Sequence, residues 1–262
     1  MAHITKKIAC RRKRILEEIS RKGYLSISDL STILNVSVST IKRDLSVMSS
    51  EGVIGRTHGG ANLFVDENEV RIKIPVFSER QLINADKKNR IARIAARFIH
   101  DNDTVFLDSG TTINLILPFL KAKNLTVHTN NLSILLSAFN KEYSFSIHLL
   151  NGLVDFNHLI TLSIDQIESI KPINFTRALF SCRSLSPEKG LIVSDYVRKL
   201  LATTIADNSK EIIVCADSSK FNMMDKITAL PFDRINYLIT DDGITDKQRY
   251  IIEGFGTKIL TE

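Results

Sequence analysis

Two groups of residues in this sequence have types and spacing suited to chemistry, and in both the chemistry is recognition rather than bond-making. The first is Ser37, Ser39, Thr40, Lys42, Arg43 and Ser46. Suppose Ser37 caps a helix that buries Ile41, Leu45 and Met48 at i, i+4 and i+7; the other five side chains then face outward. Hydroxyls and cations without a carboxylate majority suit base edges and phosphates in a DNA major groove. An ordinary helical hairpin with a solvated face is the plain alternative. Serine is a poor helix former, so Ser39, Thr40, Ser46, Ser49 and Ser50 on one surface favour contact over filler.

The second group is three polar stretches, each placed after a short apolar run: Asp108-Ser109-Gly110-Thr111-Thr112, Thr129-Asn130-Asn131 and Asp217-Ser218-Ser219-Lys220. Gly110 allows close backbone approach. Thr111 and Thr112 set hydroxyls beside the free N–H groups of a helix start, which suits an anion. Thr129, Asn130 and Asn131 repeat that geometry. Asp108 and Asn130 suit sugar hydroxyls, and Lys220 suits a phosphate. Singly, each stretch reads more readily as a capped turn. Three at one edge of one sheet read as a pocket, because ligands of open α/β sheets bind beyond the carboxyl ends of the strands.

Nothing comparable points to catalysis. The G-x-S-x-G, H-E-x-x-H and P-loop patterns are absent. Asp108, Asp217 and Asp241 are candidates for the positioned base that a sugar-phosphate isomerisation needs, but no paired-carboxylate motif marks any of them. An isomerase-like enzyme with an auxiliary DNA-binding module is therefore the alternative to a metabolite-sensing regulator, which is the favoured reading. No catalytic residue, cofactor or metal is expected. The three cysteines, Cys10, Cys182 and Cys215, are far apart and lack metal-ligand spacing. They fit a reducing cytoplasm, with Cys215 a core residue.

The elements that must position these groups are legible from periodicity. Ile8, Ile15, Leu16 and Ile19 give Lys6–Lys22 a helix with a charge run, Arg11 to Arg14, on its polar side; Gly23 ends it. Tyr24 to Ile27 is a short extended entry. Ser28 then caps a helix burying Leu30, Ile33 and Leu34, and Asn35 supplies the left-handed stop. After the second helix, Val53 to Ala61 alternates before Gly59-Gly60, whose positive φ would close a hairpin wing. Arg56, His58 and Gly59 on that wing are placed to reach phosphate or a minor groove. The whole is a winged helix-turn-helix.

From Asp86 the pattern changes. An amphipathic helix runs to His100, followed by apolar strands at Thr104–Leu107, Leu125–His128, Ser146–Leu150, Ala178–Phe180, Ile212–Ala216, Tyr237–Ile239 and Lys258–Leu260. An apolar helix to Leu120 follows the Thr112 turn, and another runs to Phe139. Short apolar strands alternating with helices imply a mostly parallel sheet covered on both faces. Asp66 to Phe77 is polar and lacks sustained periodicity. The expected domains are residues 1–63 for DNA, 64–84 as linker running into a helix near Phe77, and 85–262 for sensing and oligomerisation.

Charge follows the same division. Residues 1–62 hold 11 Lys and Arg against 5 Asp and Glu, whereas residues 63–262 hold 24 of each, so the net +6 lies entirely in the first module. A basic module beside a neutral one implies a polyanion partner for the first alone. No apolar run approaches the roughly 18 residues of a membrane span. The basic stretch Met1 to Arg14 has no apolar core behind it, so a secretory leader is not expected.

Thr40-Ile41-Lys42-Arg43-Asp44-Leu45 with a downstream His58-Gly59-Gly60-Ala61 resembles the DeoR family of bacterial transcription regulators. The later D-x-G-T-T, T-N-N and D-S-S-K stretches are similar to that family's effector domain. The resemblance implies a fold shared with ribose-5-phosphate isomerase, operator DNA as partner, and a phosphorylated sugar or related metabolite as effector. It also implies a homo-oligomer, dimer or tetramer, acting as a repressor of carbohydrate utilisation. Two glycines usual in the family are replaced. Asn151-Gly152 stands for a double glycine, and Ser181 precedes Cys182-Arg183-Ser184, where Arg183 adds a forked donor for an anion.

Overall fold

The computed structural model describes residues 2–22, 24–50, 54–56, 59–62, 77–139, 143–222 and 227–261. In the first module, α1 (Ala2–Lys22) leads through β1 (Tyr24–Ser26) into α2 (Ile27–Leu34) and α3 (Val38–Ser50), then β2 (Gly55–Arg56) and β3 (Gly60–Asn62). The apolar periodicity of the three helices converges on one small core. Ile15, Leu16, Ile19, Leu25, Leu30, Ile41, Leu45, Met48 and Ile54 are all buried.

Two local expectations need correction. Ser26, one turn-start earlier than Ser28, caps α2: its Oγ accepts from Asp29 N at 3.0 Å, and Asp29 answers with its carboxylate on Ser26 N, a reciprocal capping box. Ser28 instead shares a hydroxyl contact of 2.7 Å with Ser26. Secondly, Gly60 does not adopt positive φ. It is glycine because β3 lies against β1, where a Cβ would strike the Leu25 carbonyl and come within 2.6 Å of the Tyr24 hydroxyl. The wing is consequently the outer part of a three-stranded sheet ordered β1-β3-β2, with Gly55 opposite Asn62 and Arg56 opposite Ala61. Asn35 does take the left-handed conformation, at φ 51°.

The rest of the described chain is α/β. It runs α4 (Phe77–Leu82), α5 (Ala85–Ala96), β4 (Thr104–Leu107), α6 (Thr111–Asn114), β5 (Leu125–Thr129), α7 (Leu132–Ala138) and β6 (Phe145–Leu149). A hairpin β7 (Leu153–Asp155) and β8 (Ile160–Leu162) follows, then α8 (Asp165–Ile170) and β9 (Phe175–Ser181). Next come β10 (Ser184–Ser186), β11 (Gly190–Val193), α9 (Tyr196–Asp207), β12 (Ser209–Cys215) and β13 (Ile227–Leu230). The chain closes with β14 (Tyr237–Ile239), α10 (Asp246–Glu253) and β15 (Lys258–Leu260).

Seven strands form a parallel sheet in the order β15-β14-β12-β9-β4-β5-β6. These are the seven apolar runs of the sequence. Side chains alternate between faces, so Phe106, Phe180 and Val214 pack with α9 on one side, while Val105, Leu107, Leu179 and Cys215 pack with α5 on the other. The apolar pattern after Thr112 predicts a helix to Leu120. Pro118 permits only the four residues of α6 and a separate 3-10 turn at Leu117–Phe119. The hairpin β7-β8 and the antiparallel sheet β10-β11-β13 were not anticipated at all.

Candidate DNA interface and effector site

On α3 the residues singled out for DNA stand where the periodicity puts them. Ser37, Ser39, Lys42, Arg43 and Ser46 are exposed and Thr40 is half-buried. Ser37 Oγ accepts from Thr40 N at 3.3 Å and touches the hydroxyls of Ser39 (2.9 Å) and Thr40 (2.8 Å), so the helix start is a cluster of hydroxyls. Asp44 behaves differently from its neighbours in sequence. It is 3% exposed and accepts from Arg11 Nε at 2.5 Å and Arg12 Nε at 3.2 Å. Half of the Arg11–Arg14 charge run therefore binds α1 to α3, leaving Lys13 and Arg14 exposed. On the wing, Gly59 O accepts from Ile27 N at 2.9 Å. The Arg56 side chain and all of His58 lie outside the described residues.

The effector-type residues meet at the carboxyl edge of the parallel sheet. From β4 the chain winds outward through β5 and β6, then returns to the other side of β4 and continues through β9, β12, β14 and β15. The reversal falls between β4 and β9, the position at which an open α/β sheet leaves a crevice. Asp108 sits at its mouth. Its backbone N–H donates to Leu179 O at 3.0 Å, and its Oδ2 accepts from Ser181 N at 3.2 Å. Gly110, at φ 119°, passes so close to Ser181 that a Cβ would overlap the serine hydroxyl, which itself donates to Ser109 O at 2.5 Å. Ser181 thus fills the space that Gly110 leaves.

Not every residue of the three stretches is left for a ligand. Thr129 donates its hydroxyl to Leu107 O at 2.6 Å and accepts from Asn131 N at 3.0 Å. Asn131 caps α7 through Ser133 N (3.0 Å) and ties back to Asp108 O (3.4 Å). Thr111 and Thr112 are buried at the start of α6, a helix too short to act as an anion dipole. Asn130 differs: it is 3% exposed, and its Oδ1 has no hydrogen-bond partner among the described residues. Lys220 lies 3.7 Å from Asp217 Oδ2.

Several residues that the sequence reading passed over join this edge. Asn84, with φ 55°, donates to Asp217 Oδ1 (3.0 Å) and Ser219 Oγ (3.3 Å). Lys87 donates to Asp241 Oδ2 at 2.7 Å, and Asp241 accepts in turn from Ser218 N at 2.6 Å. Lys88 is 2% exposed, and its Nζ donates to Arg80 O at 2.5 Å. Arg198 pairs with Asp195 and lies 3.9 Å from Asp155 Oδ2. One available signal was the spacing of Arg80, Lys87 and Lys88, which sets two cations seven and eight residues after the first on consecutive helices.

Several cations act on one another at this edge, near a reluctant carboxylate. Burial pushes the Asp108 carboxyl up to about 7, against the Ser109 and Ser181 N–H groups and Arg198, which favour ionisation. Burial, followed by the neighbouring Lys220 ammonium, brings Lys88 down to about 8. Arg80 is lowered by burial and then by Arg198, with Arg183 also acting on it. Arg80, Lys88, Arg183, Arg198 and Lys220 therefore feel one another or a shared neighbour, and an anion placed among them would relieve the repulsion.

A winged helix followed by a parallel α/β domain with a polar crevice at its switch point defines a transcription regulator with a ligand-sensing domain. Residues 11–66 match the model of the DeoR-like helix-turn-helix domain, and residues 83–242 match that of the DeoR C terminal sensor domain. The HTH-type transcriptional regulator IolR of Bacillus subtilis (strain 168) is 31% identical over 88% of this chain and 90% of its own. The HTH-type transcriptional repressor GlcR of the same organism is 30% identical over 87% and 86%. The glycerol-3-phosphate regulon repressor of Escherichia coli (strain K12) is 27% identical over 88% and 90%. This chain belongs to the DeoR family of transcriptional regulators. Among solved structures, ribose 5-phosphate isomerase A of Methanocaldococcus jannaschii covers 53% of this chain and 55% of its own, at TM-score 0.35 and 15% identity.

Proposed function

We propose that the protein binds operator DNA through α3 and the wing, and that a phosphorylated sugar in the β4–β9 crevice lowers operator affinity. The observation that carries this reading is the crevice itself. Asp108 follows β4 at the topological switch point, Asn130 follows β5 and Lys220 lies beyond β12; together with the nearby cations they would offer acceptors for sugar hydroxyls and cations for an anion. Relatives named as repressors, one of them of a glycerol-3-phosphate regulon, support repression and a phosphorylated effector. Residues 1–63 act as the DNA module and 85–262 as the sensor and oligomer-forming unit. A dimer or tetramer fixes the spacing of the winged helices on repeated or inverted half-sites, and the effector acts through its differential affinity for two arrangements. The site of action is the cytoplasm; no helix among the described residues is long and apolar enough to cross a membrane.

The test is fluorescence anisotropy of the full chain on the DNA upstream of its own gene and its neighbours, with and without a panel of pentose and hexose phosphates. Selective binding that one of these weakens is the expected result; binding indifferent to all of them contradicts the proposed effector class. Asp108, a carboxyl pushed to about 7, also has the character of a general base. A coupled aldose–ketose assay therefore belongs beside the binding experiment, and sustained turnover would favour the isomerase alternative.

A further inference from the structure

Lys88 presents a problem that its immediate surroundings do not solve. It is 2% exposed, and its ammonium donates to a neutral acceptor, Arg80 O at 2.5 Å. A buried ammonium normally meets a carboxylate or gives up its charge. The nearby carboxylate, Asp217, accepts from Asn84 and Ser219 on Oδ1, and its Oδ2, 3.7 Å from the Lys220 ammonium, takes no hydrogen bond from Lys88. The Arg80 guanidinium is in a similar condition. Its plane lies over Phe77, 5.7 Å from the ring centroid, and its Nε is buried with no hydrogen-bond partner among the described residues. Arg80 stands on α4, at the end of the linker, and Lys88 on α5, the first helix of the sensor domain.

These helices are held against the sheet edge at both ends. Phe77 N donates to Asn157 O at 3.1 Å in the β7-β8 hairpin, and Asn84 reaches Asp217 beyond β12. There the Lys88 ammonium feels Lys220 and Asp217, and the Arg80 guanidinium feels Arg198, Asp155 and Arg183. We infer that α4 and α5 form the anion-binding wall of the effector pocket, with the Arg80 guanidinium and the Lys88 ammonium as phosphate ligands beside Lys220. The inference rests on the proposed sugar-phosphate reading and adds its regulatory route. A planar guanidinium offers a phosphate two parallel donors, and an ammonium adds a point charge. A phosphate held by Arg80 draws on α4 directly, three residues past its first turn-forming position Phe77. Occupancy of the pocket is thereby felt at the end of the segment that leads from the DNA module.

The charged groups facing Lys88 are Lys220, Asp217 and Arg80, and they set how its charge depends on pH. With Lys88 titrating at about 8, the unliganded pocket loses one cation over the range where inorganic phosphate is already a dianion.

The experiment uses the full chain and inorganic phosphate as probe, followed by calorimetry. Arg80→Gln and Lys88→Gln should each weaken phosphate by about tenfold or more, the loss of one charge-assisted hydrogen bond. Exposed Lys189→Gln should bind it as the wild type does. Wild-type affinity should fall between about pH 8 and about pH 9.5, and Lys88→Arg should bind phosphate without that fall, since arginine stays protonated. The arginine variant separates a ligand role from a merely structural one, because it keeps the charge and removes the titration. If Lys220→Gln loses phosphate while Arg80→Gln and Lys88→Gln bind it normally, the inference is overturned and the crevice reading stands. If the wild type binds neither phosphate nor any of the sugar phosphates, both fall together.

Discussion

The carboxylate of Asp44 lies one residue beyond Arg43 in sequence yet points into the module, where it receives Arg11 Nε at 2.5 Å. Arg12 adds a second donor at 3.2 Å, so the helix proposed to read DNA is fixed to α1 through a buried, doubly bonded carboxylate. The T-I-x-R-D-L run thereby divides its labour. Ile41 and Leu45 fill the core, Asp44 sets the angle of α3, and Lys42 and Arg43 are left outside.

Substitution should separate those roles. Asp44→Ala removes hydrogen bonds to charged donors and should cost about 1–3 kcal/mol of stability in the DNA module. Arg43→Ala, exposed, should leave stability unchanged and weaken operator binding by about 1–3 kcal/mol if it pairs with a base. Lys42→Ala should weaken all DNA sequences alike and flatten the salt dependence. Urea unfolding and anisotropy on the same three variants check this; an Asp44→Ala protein that unfolds like the wild type rules out the clamp.

The two wing glycines make a second contrast. A methyl group at Gly60 must displace the Leu25 carbonyl or the Tyr24 ring, whereas at Gly59 the nearest atom is the Tyr24 hydroxyl at 3.6 Å. Gly60→Ala should destabilise the module by about 1–3 kcal/mol, as overpacking does. Gly59→Ala should be close to neutral. Equal melting behaviour of the two variants would mean that β1 and β3 do not pack as described.

How far the sequence spoke for itself depended on whether the controlling interaction was local. The seven strands of the parallel sheet were legible because each is a short apolar run buried on both faces, as at Val105-Phe106-Leu107 and Ile212-Ile213-Val214. Asn35 and Ser37 were legible because a cap acts within three residues. The β7-β8 hairpin was not, since Leu153, Val154 and Phe156 are exposed and carry no burial signal. For the pocket, the D-S-G-T-T, T-N-N and D-S-S-K stretches could be read, but their division between ligand and scaffold could not. Thr129 and Asn131 are spent on Leu107 O and Ser133 N, partners that only the fold brings near. The burial of Lys88 carries no sequence signal, since Asp217 and Lys220, about 130 residues away, come near it only in the fold.

Asp108 should leave a signature in the pH dependence of stability. Its folded value is raised from 3.8 to about 7 by burial. A raised value means that the native state holds the proton more tightly than the unfolded chain, so this contribution is fully present below about pH 4 and is lost as pH rises through about 7. Asp108→Asn, neutral throughout and still able to accept from Ser181 N, should lose less stability than the wild type between about pH 5 and about pH 8. Parallel urea midpoints for the two proteins over that interval would show that Asp108 ionises as freely in the fold as in water.

Lys220 provides the test of sensing that leaves the DNA module untouched. Its ammonium lies 3.7 Å from Asp217, on a turn anchored independently by Ser218 N to Asp241 at 2.6 Å and by Lys87 to Asp241 at 2.7 Å. Removing it therefore subtracts a cation from the crevice while the turn keeps its other supports. A buried hydrogen bond to a charged group is worth about 1.5–3 kcal/mol, so Lys220→Ala should reduce effector affinity by roughly tenfold to over a hundredfold. Operator affinity without effector should match that of the wild type, and addition of effector at wild-type saturating concentration should no longer release DNA. In a reporter strain the target would stay repressed when the wild type is induced. Lys87→Ala supplies the contrast, since it breaks the Asp241 anchor and should lower the melting temperature of the sensor domain together with its response. Lys220→Ala protein that senses the effector at wild-type concentrations would move the anion site away from the end of β12, leaving Arg183 and Arg198 as the cations to substitute next.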